Sequence, residues 1–145
     1  QKMTRLALSS LQDIVKRFPG TSFARDARLK LEMTFDHLAG KEMEVGRYYM
    51  DRGEFLASIN RFKQVIEEFQ TTTHVPEALH RLVEAYLSLG IEDEALRVAS
   101  ILAHNYPGSP WYEQTYKLLN PELRDELNRQ RSWLDRTVES LLAPE

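Results

Sequence analysis

Cysteine is absent from the 145 residues. Disulfides, thiolate catalysis and cysteine-based zinc sites are therefore excluded, although the compartment is not fixed by this. Long apolar runs are also missing, so no stretch of sequence reads as a bilayer-spanning helix. The net charge of -3 lacks the basic excess that nucleic acid or an anionic membrane surface would call for. Glycines occur singly, which excludes a phosphate-binding loop. No serine, threonine or lysine is set beside a base in a nucleophile pattern, and the chain reads as a non-enzyme without a cofactor. The chain opens at Gln1 within what reads as a helix, with no signal peptide, and we expect it to be a piece of a longer protein.

What is present is helical periodicity, and it recurs. In ASINRFKQVIEEFQTTT, Ile59, Phe62, Val65, Ile66 and Phe69 lie on one helical face. A forward shift of 37 residues carries Phe62, Val65, Ile66 and Phe69 onto Ala99, Leu102, Ala103 and Tyr106. A backward shift of 51 carries the same four onto Leu11, Ile14, Val15 and Phe18. Each copy closes alike, in FPGTS, FQTTT and YPGSP. The last two copies are preceded by a second helical pattern, in which Val45, Tyr49 and Gly53 map onto Leu82, Tyr86 and Gly90. Glycine there suits the left-handed residue that ends a helix. The unit is a helix A, a glycine turn, a helix B and a polar loop, and it needs stacked neighbours to bury its apolar stripe.

This arrangement is similar to the tetratricopeptide repeat, whose period is ~34 residues; the three extra residues fit in the loop TTTHVPE. The expected fold is an all-α solenoid, a right-handed superhelix of antiparallel helix hairpins. The 51-residue spacing exceeds 37 by 14, or about 3.9 helical turns, which keeps the apolar face nearly in phase. With Ala27, Leu31 and Phe35 corresponding to Ala78, Leu82 and Tyr86, the insertion predicts one long helix A over 22–52, with two helices broken at Gly40 as the alternative. The expected organisation is a single domain: 1–19 the second helix of a truncated repeat, 20–70 a repeat with a long first helix, 71–108 the last full repeat, and 109–145 terminal capping helices. Ser109–Pro110 and Asn120–Pro121 start two short-loop helices. The final helix, with Leu123, Leu127, Leu134, Val138 and Leu141 as a narrow seam, is read as a cap for the array or as a partner-binding helix.

Glu77 and His80 share a helical spacing that can hold a metal, but a carboxylate-bridged site needs two such pairs and further glutamates. His37, His74 and His104 lie on other elements, so a surface or edge histidine is expected and no metal site. The pattern is broken instead by two arginines. Arg52 stands where the next repeat has Leu89, and Arg61 lies between the core positions Ile59 and Phe62. A charge buried without a partner is costly, so each is expected to be solvated and paired locally, with Asp51 or Glu54, or to serve a partner.

The run AGKEMEVGRYYMDRGEFLASINRFKQVIEEFQ, continued by TTTHVPEALHRLVEAYLSLG, closely resembles the BamD (ComL-type) lipoprotein family of the outer-membrane β-barrel assembly machinery. The likeness covers about Leu6 to Leu119 and rests on the long helix A, the YYxxRG turn and the Asn-Arg pair of helix B. It implies a scaffold at the periplasmic face of the outer membrane, anchored by a lipidated cysteine that this chain does not include. It also implies that the C-terminal repeats bind the last POTRA domain of the barrel-forming subunit, and that Arg61 contacts an acidic residue there. Arg52 and Asp51 are further candidates by proximity, with Asn60 as a supporting polar residue. Other assembly lipoproteins and unfolded outer-membrane clients are implied as possible partners. The alternative is a repeat adaptor that takes extended client peptides in its concave groove, through helix A residues such as Tyr48.

Overall fold

The computed structural model describes the backbone of residues 2–142 and the side chains of residues 6–133. Among the described residues seven helices follow one another: α1 (Lys2–Arg17), α2 (Ser22–Asp51), α3 (Phe55–Glu68), α4 (Val75–Ser88), α5 (Glu92–Asn105), α6 (Pro110–Leu118) and α7 (Pro121–Leu142). There is no strand among the described residues. From α1 to α5 each helix packs on the next, and α6 and α7 then stack on α4 and α5, helix A on helix A and helix B on helix B. This is a solenoid of the tetratricopeptide type, in which no repeat buries its own apolar face unaided.

The repeated sequence signals produce repeated hydrogen bonds. At the first turn, Gly53 has φ +73°; its N–H donates to Met50 O at 2.9 Å, and Glu54 N–H donates to Tyr49 O at 2.9 Å. At the second, Gly90 has φ +71°, with Gly90 N–H on Leu87 O at 3.0 Å and Ile91 N–H on Tyr86 O at 2.9 Å. Both are Schellman closures, which satisfy the last carbonyls of a helix and need a residue without a Cβ at the left-handed position. The polar ends of the B helices also match. Thr21, Thr72 and Ser109 each donate N–H to the carbonyl of the aromatic three residues earlier, Phe18, Phe69 and Tyr106, at 3.3, 3.1 and 3.0 Å. Thr21 and Ser109 then cap the next helix, their hydroxyls accepting from Ala24 N–H and Trp111 N–H.

Helix α2 runs for 30 residues without a break at Gly40. Its first half buries Ala24, Ala27 and Leu31, and its second half buries Ala39, Met43 and Gly46, the last against Phe62 of α3. Interior glycine costs only about 1 kcal/mol of helix propensity, and burial on both halves outweighs it. The core continues through Phe62, Val65, Leu79, Val83, Leu102, Leu119 and Leu127, all fully or almost fully buried. Leu127 brings α7 onto the array beside α5, and Asn120 caps that helix by accepting Leu123 N–H at 2.8 Å. Of the seam expected on the last helix, Leu134, Val138 and Leu141 lie outside the described side chains.

Candidate partner-docking site

Along α2, Glu42, Gly46 and Tyr49 fall at i, i+4 and i+7, one stripe of the helix; along α3, Ala57, Arg61 and Gln64 do the same. The two stripes meet at the α2–α3 seam. Tyr49, Ala57, Asn60, Arg61 and Gln64 line a shallow cleft there of about 210 Å³. The approach is close because Gly46 has no side chain: a Cβ at that position would lie 2.5 Å from Cε1 of Phe62, whose ring is fully buried.

Arg61 sits at the side of the core stripe, and its side chain is 40% exposed. Its partner is neither Asp51 nor Glu54. Glu42 takes that role, its carboxylate accepting from Arg61 Nη1 at 3.0 Å, and it is the more buried of the two, at 17%. The repeat register shows how unusual the pair is. A shift of 37 carries Glu42 onto Leu79 and Arg61 onto Val98, both buried in the α4–α5 hairpin. Gly46 maps onto Val83, also buried. One hairpin thus has an ion pair and a glycine where its neighbour has three apolar side chains.

Asn60 lies in the same cleft, exposed beside Arg61. Arg52 and Asp51 are at the turn and do not line it. Arg52 pairs with Glu54 at 3.2 Å, as one of its two expected partners, and its guanidinium lies over Tyr48 at 5.5 Å from the ring centre. Tyr48 in turn meets Tyr49 edge-on, with ring centres 5.7 Å apart. The two arginines therefore belong to adjacent groups joined by a tyrosine pair. Tyr48, expected as a marker of the client groove, belongs to the turn group. Between successive A helices, Arg47 of α2 donates to Glu77 of α4 at 2.9 Å and Arg81 of α4 lies over Trp111 of α6; within α4, Glu77 lies 3.6 Å from Arg81 and Arg81 donates to Glu84 at 2.7 Å.

This network also corrects the reading of His80. It is not a surface or edge histidine: it is 3% exposed, with Nδ1 at 2.8 Å from the hydroxyl of fully buried Thr115 and its ring against Trp111. Burial lowers its pKa, with Glu84 acting in the opposite direction. Glu77, three residues earlier on the same helix, is held by Arg47 and Arg81. Among the described residues no group of three metal-ligating side chains exists, and no described helix is long and apolar enough to cross a membrane.

Residues 1–102 match a family model described as "Outer membrane lipoprotein", YfiO. The chain belongs to the YfiO family. Among relatives of this YfiO-family chain, one from Caulobacter vibrioides is 55% identical over 120 residues, 83% of this chain and 39% of the relative. One from Rickettsia prowazekii is 48% identical over 119 residues, 82% and 47% of the two chains, and one from Neisseria meningitidis is 36% identical over 116 residues, 80% and 43%. Each of the three is named "Outer membrane protein assembly factor BamD". The chain spans less than half the length of each of these curated relatives.

Proposed function

We propose that this chain is the partner-binding part of an outer-membrane protein assembly factor, a scaffold that docks the last POTRA domain of the barrel-forming subunit through the α2–α3 seam. The single observation that carries the reading is Arg61: a half-exposed arginine, in a cleft, at a repeat position where the neighbouring hairpin buries valine. Family membership and the names of the relatives support the assembly role. A guanidinium fork suits a carboxylate on a folded partner, since it can bind bidentately and so fixes register as well as adding energy. Asn60 beside it adds a polar group to the same cleft, while Arg52 and Asp51 form the outer edge of the contact at the turn. The scaffold would work at the periplasmic face of the outer membrane, held there by a lipid anchor outside this sequence.

Titration of the POTRA domain against wild type and Arg61→Glu tests the reading. The charge reversal is expected to weaken binding by at least about tenfold, because it leaves the partner's carboxylate opposed by another. Helix content should stay at the wild-type level. Unchanged affinity would remove Arg61 from the interface.

A further inference from the structure

Glu42 is not among the residues that line the cleft, yet among the described residues it is the one whose side chain pairs with the arginine. Three observations bear on why it is there. The carboxylate engages Nη1, one of five N–H donors on the guanidinium, and no other carboxylate among the described residues lies within 4.0 Å of Arg61. The pair is not a requirement of the hairpin, because the next hairpin packs Leu79 and Val98 at the same register. The helix approach that brings Glu42 within reach depends on Gly46, where any side chain would meet Phe62.

We propose that Glu42 is the positioning residue of the docking site: it anchors Arg61 by one edge at the α2–α3 seam and leaves the remaining donors for a carboxylate of the partner. This rests on the docking role assigned to Arg61. An arginine without such an anchor must give up its side-chain freedom when the partner arrives, whereas a held one has already done so. The partner it selects is an acidic, folded surface presenting a carboxylate at a fixed height above the seam. Glu42 also neutralises the arginine at long range, so the site gains register more than encounter rate.

The test separates anchoring from mere proximity. Glu42→Ala should weaken POTRA binding roughly three- to tenfold, while Glu42→Gln, which keeps an oxygen to accept from Nη1, should stay within about twofold. In an Arg61→Ala background, Glu42→Ala should have no further effect. Glu42→Leu combined with Arg61→Val, the neighbouring hairpin's own pair, should fold as wild type does and lose the contact. Tighter or unchanged binding for Glu42→Ala in the presence of Arg61 overturns the proposal, since the carboxylate would then be a competitor or a bystander. Relaxation of the Arg61 side-chain ¹⁵Nε, measured without any partner, gives an independent reading. Increased mobility in Glu42→Ala supports anchoring even if the POTRA domain proves to be the wrong probe, and unchanged mobility refutes it.

Discussion

Adding one methyl group at Gly46 sets two effects of opposite sign against each other. In a helix interior, alanine is favoured over glycine by about 1 kcal/mol. At Gly46, however, the new carbon would lie 2.5 Å from Cε1 of Phe62 and 2.9 Å from two further ring carbons. Reaching even the tight end of ordinary contact, 3.4 Å, requires a movement of about 0.9 Å. Phe62 is fully buried, so its ring cannot swing into solvent, and α2 and α3 must part. Overpacking of this kind costs about 1–3 kcal/mol, and the rigid aromatic places the site near the upper end. The expected net loss is about 1–2 kcal/mol, or a fall in Tm of roughly 3–8 °C for a domain of this size. Gly40→Ala is the control. It lies in the same helix and has the same propensity gain, but the added carbon meets only the end of the His74 ring, at 3.2 Å. That variant should be neutral or more stable by up to about 1 kcal/mol. Urea denaturation of the two variants measures the difference. Equal stability would refute the close-approach argument, as would a failure of Phe62→Leu to relieve the loss in Gly46→Ala.

Two further perturbations bear on the cap. His80 has a lowered pKa in the folded chain because it is buried, so the unfolded chain takes up the proton first as pH falls through about 6.5. Stability should therefore fall with falling pH between the unfolded and folded values and be fully retained above them; equal pH dependence of the denaturation midpoint in wild type and His80→Gln would contradict this. Leu127→Ala removes a fully buried side chain of α7 and should cost about 2–5 kcal/mol. In hydrogen exchange the loss should appear first in the amides of α7, and uniform weakening along the array would argue against a separately docked cap.

The repeat, the glycine turns and the long helix were legible in the sequence because each depends on residues close together in the chain. Matching aromatic-to-polar endings produce three matching turns at Phe18, Phe69 and Tyr106. The near-integral number of turns in the insertion is why α2 keeps a buried side along both halves. Arg52 found Glu54, two residues away. What escaped depends on contacts between helices. Thr115 is 35 residues from His80 and lies on α6, beyond the repeated pattern, so the partner that satisfies the histidine could not be read from the repeat, although the shift of 37 sets His80 against buried Met43. Glu42 was legible too, because the shift that sets Arg52 against Leu89 also sets Glu42 against Leu79 and Arg61 against Val98. Comparing the polar positions of the two hairpins, and not only the apolar ones, would have found the pair. Gly46 reads in sequence as a weak point of a helix, and only the presence of Phe62 across the seam turns it into a requirement.

A stacked array has a particular tolerance that accounts for where this ion pair sits. Each helix touches only its near neighbours, so a change at one seam is felt locally and the other hairpins keep their packing. The α4–α5 seam, with Leu79, Val83 and Val98, is filled by apolar side chains and needs no partner. The α2–α3 seam substitutes charge for two of the three and removes the third side chain altogether. Replacing a packed apolar contact by an ion pair is at best neutral for stability once desolvation is counted. The exchange is tolerable here because Arg61 stays half in solvent and because Met43, Phe62 and Val65 still seal the hairpin beneath it. Such a seam presents a cation held by a carboxylate, where its neighbour has only apolar side chains. The proposed docking site would need no mobile loop; it needs one hairpin of the repeat to differ from the next at three positions.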